Sequence, residues 1–196
     1  KELRKNKKKA FIAFIMAGDP SLKITKELIF ELEKQGVDII ELGVPFSDPI
    51  ADGPTIQKAS ERGRKSKTTL TSVFNLVRNV RLQIQTPIVF LIYYTLVFHY
   101  GLERFVNAAV DSGVDGVVIP DLPPEESKEL CKIAKKKRFA MIHLLAPTSS
   151  IDRIKKVASL SSGFIYYVSL TGTTGAREKL PEGLRAKLKN IKNITK

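Results

Sequence analysis

Much of what would simplify a functional reading is missing from this chain. No apolar run approaches the ~20 residues that a membrane helix needs, and residues 1–9, mostly lysine, carry no apolar segment of signal-peptide length. The single cysteine, Cys131, excludes an internal disulfide, which suits a reducing cytoplasm. Its neighbours Leu130, Ile133 and Ala134 suggest a packed helix position rather than an activated thiol. Of two histidines, His99 is expected on an exposed loop and His143 within a strand; without a Cys or His cluster beside them no metal site is expected. Met16-Ala17-Gly18-Asp19-Pro20 is not a Gly-rich dinucleotide turn, and Thr171 to Gly175 lack the lysine of a Walker sequence. Acidic residues number 20 against 33 basic ones, a net charge of +13. That excess is mostly lysine at the two termini and in residues 132–138. With no aromatic interleaving and no Arg-rich reading element, it reads as solvated surface rather than a nucleic-acid face.

What the chain does have is alternation. At 196 residues and 43% hydrophobic, it fits one α/β domain or most of a larger one. Residues 10–17 form a continuous apolar run, typical of a strand buried on both faces. Ser21 then opens a helix over 22–35, followed by a strand at 37–42 and helices at 55–62 and 71–85. Four more units follow: strand 88–93 with helix 102–112, strand 116–119 with helix 124–137, strand 140–145 with helix 151–159, and strand 164–169 with helix 182–191. Gly36, Gly113 and Gly163 stand where helix C-caps are expected. Six βα units imply parallel strands covered by helices. An open doubly wound sheet and a closed barrel both satisfy this pattern. Polar residues following several different strands favour the barrel, an α/β (β/α)8 TIM barrel of which about six units are present.

The most informative stretch is Glu41-Leu42-Gly43-Val44-Pro45-Phe46-Ser47-Asp48-Pro49-Ile50-Ala51-Asp52-Gly53-Pro54. An apolar strand ends in a carboxylate and breaks into a loop stiffened by proline that holds two further acids. A carboxylate at a buried strand end is desolvated, so its pKa rises toward the range useful for proton transfer. A second acid, Asp52, in a wetter loop would stay ionised, giving two acids with different roles. As residues of an Asp-Gly-Pro sequence, Asp52 and its neighbours equally suit a simple turn. Asp121-Leu122-Pro123-Pro124 reads as a helix-start device.

Together with Thr55-Ile56-Gln57, Gly18-Asp19-Pro20, Ile119-Pro120-Asp121-Leu122-Pro123 and Ser169-Leu170-Thr171-Gly172-Thr173-Thr174-Gly175-Ala176, that stretch resembles the alpha subunits of tryptophan synthase, in order and spacing from about Ala10 onward. The resemblance implies a lyase of tryptophan biosynthesis that cleaves indole-3-glycerol phosphate by a retro-aldol reaction to indole and glyceraldehyde 3-phosphate. It assigns Glu41 as the acid/base carboxylate and Asp52 as the acid that holds the indole nitrogen. Phe14, Leu91, Tyr93, Leu144 and Tyr166 match pocket-lining positions. Thr174 and Gly175 match a loop that closes over the substrate, Gly175 near its phosphate. It implies no cofactor in this chain: pyridoxal phosphate belongs to the beta subunit, the expected partner in an alpha2beta2 complex, which Asp48 and its neighbours would face. It also implies a cytoplasmic protein. In the family two further βα units follow, so residues 1–196 are expected to be a single barrel domain short of its last two units.

The chemistry agrees with these residue types. Retro-aldol cleavage must protonate the leaving ring carbon and remove a proton from the glycerol hydroxyl that becomes the aldehyde. One carboxyl with a raised pKa serves first as acid, then as base. A fixed anion beside the indole N–H stabilises the charge that develops on ring protonation. Three other readings compete: a catalytically weak barrel that docks on and regulates the beta subunit, another phosphosugar barrel enzyme, and a nucleic-acid binder.

Overall fold

The computed structural model describes residues 8–168 and 183–195. Five strands, β1 (Ile12–Met16), β2 (Ile39–Gly43), β3 (Ile88–Leu91), β4 (Gly116–Val118) and β5 (Ala140–Ile142), pair in parallel in chain order. A second parallel pair joins β6 (Leu144–Leu145) to β7 (Tyr166–Tyr167). His143 alone separates β5 from β6, so the two are halves of one strand. Its first half pairs with β4 and its second with β7, and Tyr166 N–H donates to the His143 carbonyl at 3.0 Å. Six strand positions therefore run side by side in sequence order. A doubly wound sheet reverses its strand order at a switch point; the order here never reverses, which is the winding of a barrel.

The helices that follow the strands are α1 (Leu22–Lys34), α2 (Pro54–Lys65), α3 (Leu70–Val80), α4 (Tyr94–Tyr100), α5 (Leu102–Ser112), α6 (Lys128–Lys136), α7 (Ile151–Leu160) and α8 (Leu184–Ile194). Short polar side chains start several of them. Ser21 accepts the Ile24 N–H of α1, Thr69 and Ser72 form a reciprocal capping box on α3, and Ser150 accepts the Arg153 N–H of α7. Pro54 occupies the first turn of α2, where its missing N–H costs nothing. Gly113 ends α5 at φ 91°, a left-handed cap that a side chain would strain.

Alternation along the strands separates two apolar layers. Ile40, Leu42, Ile88, Phe90 and Val117 point outward and pack with Val73, Val77 and Phe105 of the helices in the main core. Fully burying side chains of this size contributes about 1.5–3 kcal/mol each. The opposite face forms a smaller inner cluster of Val89, Val118 and Ile142, with Ile39, Leu91, Leu144, Phe164 and Tyr166 packed against it. Residues of β2 on that inner face are Ile39, Glu41 and Gly43. A carboxylate therefore projects into the barrel interior.

Several sequence expectations need correction. The run 10–17 is not buried on both faces: β1 has only Met16 buried, and Phe11 beside it is 64% exposed. Among the described residues β1 has a hydrogen-bonded neighbour on one side only. His99 lies on α4, a helix the sequence reading leaves as loop. That helix starts at Tyr94, with two residues between it and β3, and its first N–H is capped by Asp121 from the next unit, a contact no local pattern reveals. Asp121 thus starts a helix, but the preceding one. Helix α6 begins at Lys128 because Glu126 and Ser127 both donate to the Pro123 carbonyl in a turn. Helix α3 ends at Val80, where Arg81 turns aside to donate to the carbonyls of Gly113 and Thr86 and to Asp115. Gly163 is not a C-cap: α7 ends in extended Ser161, and Gly163 bends the chain at φ 86° two residues later.

Candidate active site

Glu41 sits in the middle of β2, one register pair from Phe14 of β1 and from Val89 of β3. It is 5% exposed, and its Oε1 atom is buried with no hydrogen-bond partner. A buried carboxylate oxygen without a donor favours the neutral acid. Burial first, then the negative charge of Asp52, pushes its pKa up to about 7. Near neutral pH the group holds comparable amounts of acid and base, the condition for accepting and returning a proton.

Asp52 lies in the loop after β2, but it is not in wet surroundings. At 7% exposure it is nearly as buried as Glu41. Its backbone makes a turn, N–H to the Pro49 carbonyl at 3.0 Å, while its own carbonyl accepts from Gln57 Nε2 at 2.9 Å. The turn reading and the functional reading thus coexist, because the turn is what carries the carboxylate inward. Its Oδ2 accepts the Tyr93 hydroxyl at 3.1 Å. Burial raises the Asp52 pKa, and the Tyr93 hydrogen bond opposes that rise.

Tyr93 lies two residues beyond the end of β3. Its ring stacks on Phe46, with centroids 5.0 Å apart, and its oxygen also accepts the Ala51 N–H at 3.0 Å. Leu91, Leu144 and Tyr166 belong to the inner apolar cluster. Burial raises the Tyr166 phenol pKa, and the charges of Glu41 and Asp52 raise it further, so this residue of the sixth strand position shares the electrostatic field of both acids. The Phe14 ring lies over Gly43: a Cβ placed there would stand 2.8 Å from the ring. The absence of a side chain at Gly43 makes room for that aromatic.

The structure therefore brings together Glu41, Asp52, Tyr93, Phe14, Leu91, Leu144 and Tyr166 from five strand positions. Thr174 and Gly175, and the segment around them, lie outside the described residues. Asp48 is exposed, hydrogen-bonded to Ser47 at 2.5 Å. Sequence reasoning missed Phe46, whose ring supports Tyr93, and the inner residues Val89 and Ile142. Strand alternation holds the signal for the last two, since each lies two positions before a residue already assigned to the pocket.

Cys131 and His143 are elsewhere. His143 is buried on the helix-facing side of its strand, bonded to Ser127 Oγ at 3.0 Å and Ser161 Oγ at 3.3 Å, with Cys131 Sγ 3.9 Å from its Nε2. Burial lowers the His143 pKa and raises that of Cys131, which describes a neutral structural network. Among the described residues no group of three or more His, Cys, Asp or Glu side chains could hold a metal ion, and no helix is long and apolar enough to cross a membrane.

A family model described as tryptophan synthase alpha chain matches residues 1–196. The chain belongs to the tryptophan synthase alpha chain family. The tryptophan synthase alpha chain of Geotalea daltonii is 54% identical over 191 residues, covering 97% of this chain and 72% of the relative. That of Caldanaerobacter subterraneus is 45% identical over 194 residues, covering 99% and 74%. Among solved structures, tryptophan synthase subunit alpha from Legionella pneumophila superposes with a TM-score of 0.91 at 38% identity, covering all of this chain and 72% of that one. A chain of the tryptophan synthase a2b2 complex from Pyrococcus furiosus gives 0.88 at 39% identity, covering 94% and 74%. Membership makes this chain a lyase subunit of tryptophan biosynthesis and its six strand positions part of a TIM barrel.

Proposed function

We propose that this chain cleaves indole-3-glycerol phosphate to indole and glyceraldehyde 3-phosphate, with Glu41 moving the protons and Asp52 holding the indole nitrogen. The observation that carries this reading is the Glu41 carboxyl: buried in the barrel interior, without a partner on one oxygen, and beside a second acid. Family membership supplies the reaction; the local geometry supports the residue roles.

In the proposed sequence, the neutral Glu41 acid protonates the ring carbon that carries the glycerol chain. Positive charge then develops on the indole nitrogen, where the Asp52 carboxylate stabilises it. Glu41, now anionic, takes the proton of the hydroxyl that becomes the aldehyde, and the carbon–carbon bond breaks with its electrons returning to the ring. Phe14, Leu91, Leu144 and Tyr166 offer a flat apolar slot suited to an indole. Thr174 and Gly175 are assigned to a loop that closes over the substrate, with Gly175 near its phosphate. No step uses a cofactor in this chain; pyridoxal phosphate is assigned to the beta subunit, which we place as the partner in an alpha2beta2 assembly, in the cytoplasm. Residues 1–196 are read as one barrel domain. A purely docking role would leave the orphaned Glu41 oxygen without a purpose.

The test is indole release from indole-3-glycerol phosphate by the purified chain, alone and with a beta subunit. Release that disappears in Glu41→Gln supports the reading. Binding of the beta subunit with no release under any condition would instead favour docking alone.

A further inference from the structure

We propose that Tyr93 is a positioning residue for the cleavage reaction, its hydroxyl holding the Asp52 carboxylate in the place and orientation in which it meets the substrate. The proposal deepens the functional reading above and rests on its assignment of Asp52.

The direction of the hydrogen bonds follows from chemistry. A phenol has one proton, and the Ala51 N–H can only donate, so at 3.0 Å it uses a lone pair of the Tyr93 oxygen. The phenolic proton is then left for Asp52 Oδ2 at 3.1 Å. One hydroxyl thus fixes two successive residues of the loop after β2, the Ala51 backbone and the Asp52 side chain.

Tyr93 is itself held by a ring contact from the loop after β2 and, through the next residue's backbone, by the loop after β4. Its ring stacks on Phe46 at 5.0 Å and 23° between planes. The next backbone N–H, that of Tyr94, is bound by Asp121 Oδ1 at 2.8 Å. Burial, the largest influence on the phenol, raises its pKa, so the group remains a donor.

The two acids are both buried, and the Tyr93 hydroxyl bonds only one of them. Burial raises the pKa of both Glu41 and Asp52. Glu41 has an oxygen with no partner, whereas Asp52 has the Tyr93 proton, which pulls its pKa back down. The hydroxyl therefore supplies the asymmetry that a proton-transferring acid and a permanent anion require. A residue that only lined the pocket would need the ring and not the oxygen.

The experiment compares wild type, Tyr93→Phe, Asp52→Asn and the double variant in the full chain bound to a beta subunit, using single-turnover cleavage of indole-3-glycerol phosphate. Tyr93→Phe keeps the ring and its Phe46 stack. It should lower kcat roughly tenfold, the scale of a lost hydrogen bond to a charged group, with KM changed only a few-fold. The acid limb of the kcat–pH profile should move to higher pH, because Asp52 has lost the donor that favours its charged form. In the Asp52→Asn background the same change should have almost no further effect. A carboxyl carbon NMR titration of Asp52 in the ligand-free protein reads the shift without catalysis and should move the same way. A rise in KM alone, an unmoved Asp52 titration, or independent losses in the double variant would overturn the proposal. A wild-type chain that fails to cleave would overturn this proposal and the functional reading together.

Discussion

Glu41 and Phe14 are register partners across β1 and β2, so the acid we propose to transfer protons and the aromatic we propose to wall the slot are adjacent by backbone pairing alone. Both point to the interior because parallel pairing places partnered residues on the same face of the sheet. Their relative position is thus set by ladder hydrogen bonds, which are among the stiffest elements a fold offers a site.

Glu41→Gln should abolish cleavage while leaving affinity for indole-3-glycerol phosphate within a few-fold. The amide keeps the shape but transfers no proton. Single-turnover cleavage near the wild-type rate would remove Glu41 from the mechanism.

The same substitution should stabilise the fold near neutral pH. A carboxyl whose folded pKa is about 7, raised from 4.5, binds more protons folded than unfolded between those values. Stability contributed by its neutral form is then complete below about pH 4.5 and is lost as pH rises toward 7. Removing the ionisation should recover on the order of 3 kcal/mol at pH 8 and little at pH 4. Urea denaturation at both pH values checks this, and an equal effect at each would refute the burial argument.

Asp52→Asn should fold normally and lose roughly 10²-fold or more in kcat, the order seen when an electrostatic partner of a transition state is removed. Full activity would reduce Asp52 to a turn residue.

Gly43→Ala tests the slot. The new Cβ would stand 2.8 Å from the Phe14 ring and 3.0 Å from the Met16 methyl, so the ring must shift. Overpacking of this kind costs about 1–3 kcal/mol. KM for indole-3-glycerol phosphate should rise more than kcat falls, and a steady-state profile unchanged from wild type would show that Phe14 does not border the substrate.

His143→Ala probes the buried network on the other side of the same strand. His143 is 5% exposed and bonded to two serine hydroxyls. Losing it should cost about 1–3 kcal/mol of stability through unsatisfied partners, while cleavage at a temperature well below the melt stays within a few-fold. A selective loss of activity in a fully folded variant would give His143 a role that its position outside the site does not suggest.

Local chemistry alone determined a good deal of this protein. Alternating apolar runs and capping residues such as Ser21 and Ser150 fix the order of strands and helices, because these signals act within a few residues. The proline-stiffened loop carrying Asp52 marks the site for the same reason. Only the tertiary structure decided what each acid experiences. Asp52 reads as a wetter loop residue, yet the turn at Pro49 and the Tyr93 hydroxyl, 41 positions along the chain, bring it into the interior. Helix α4 depends on the Asp121 carboxylate from the next unit, and β1 is less buried than its apolar run suggests. Sequence pattern records which residues prefer burial; pKa, hydrogen-bond partner and strand exposure depend on which distant groups arrive beside them.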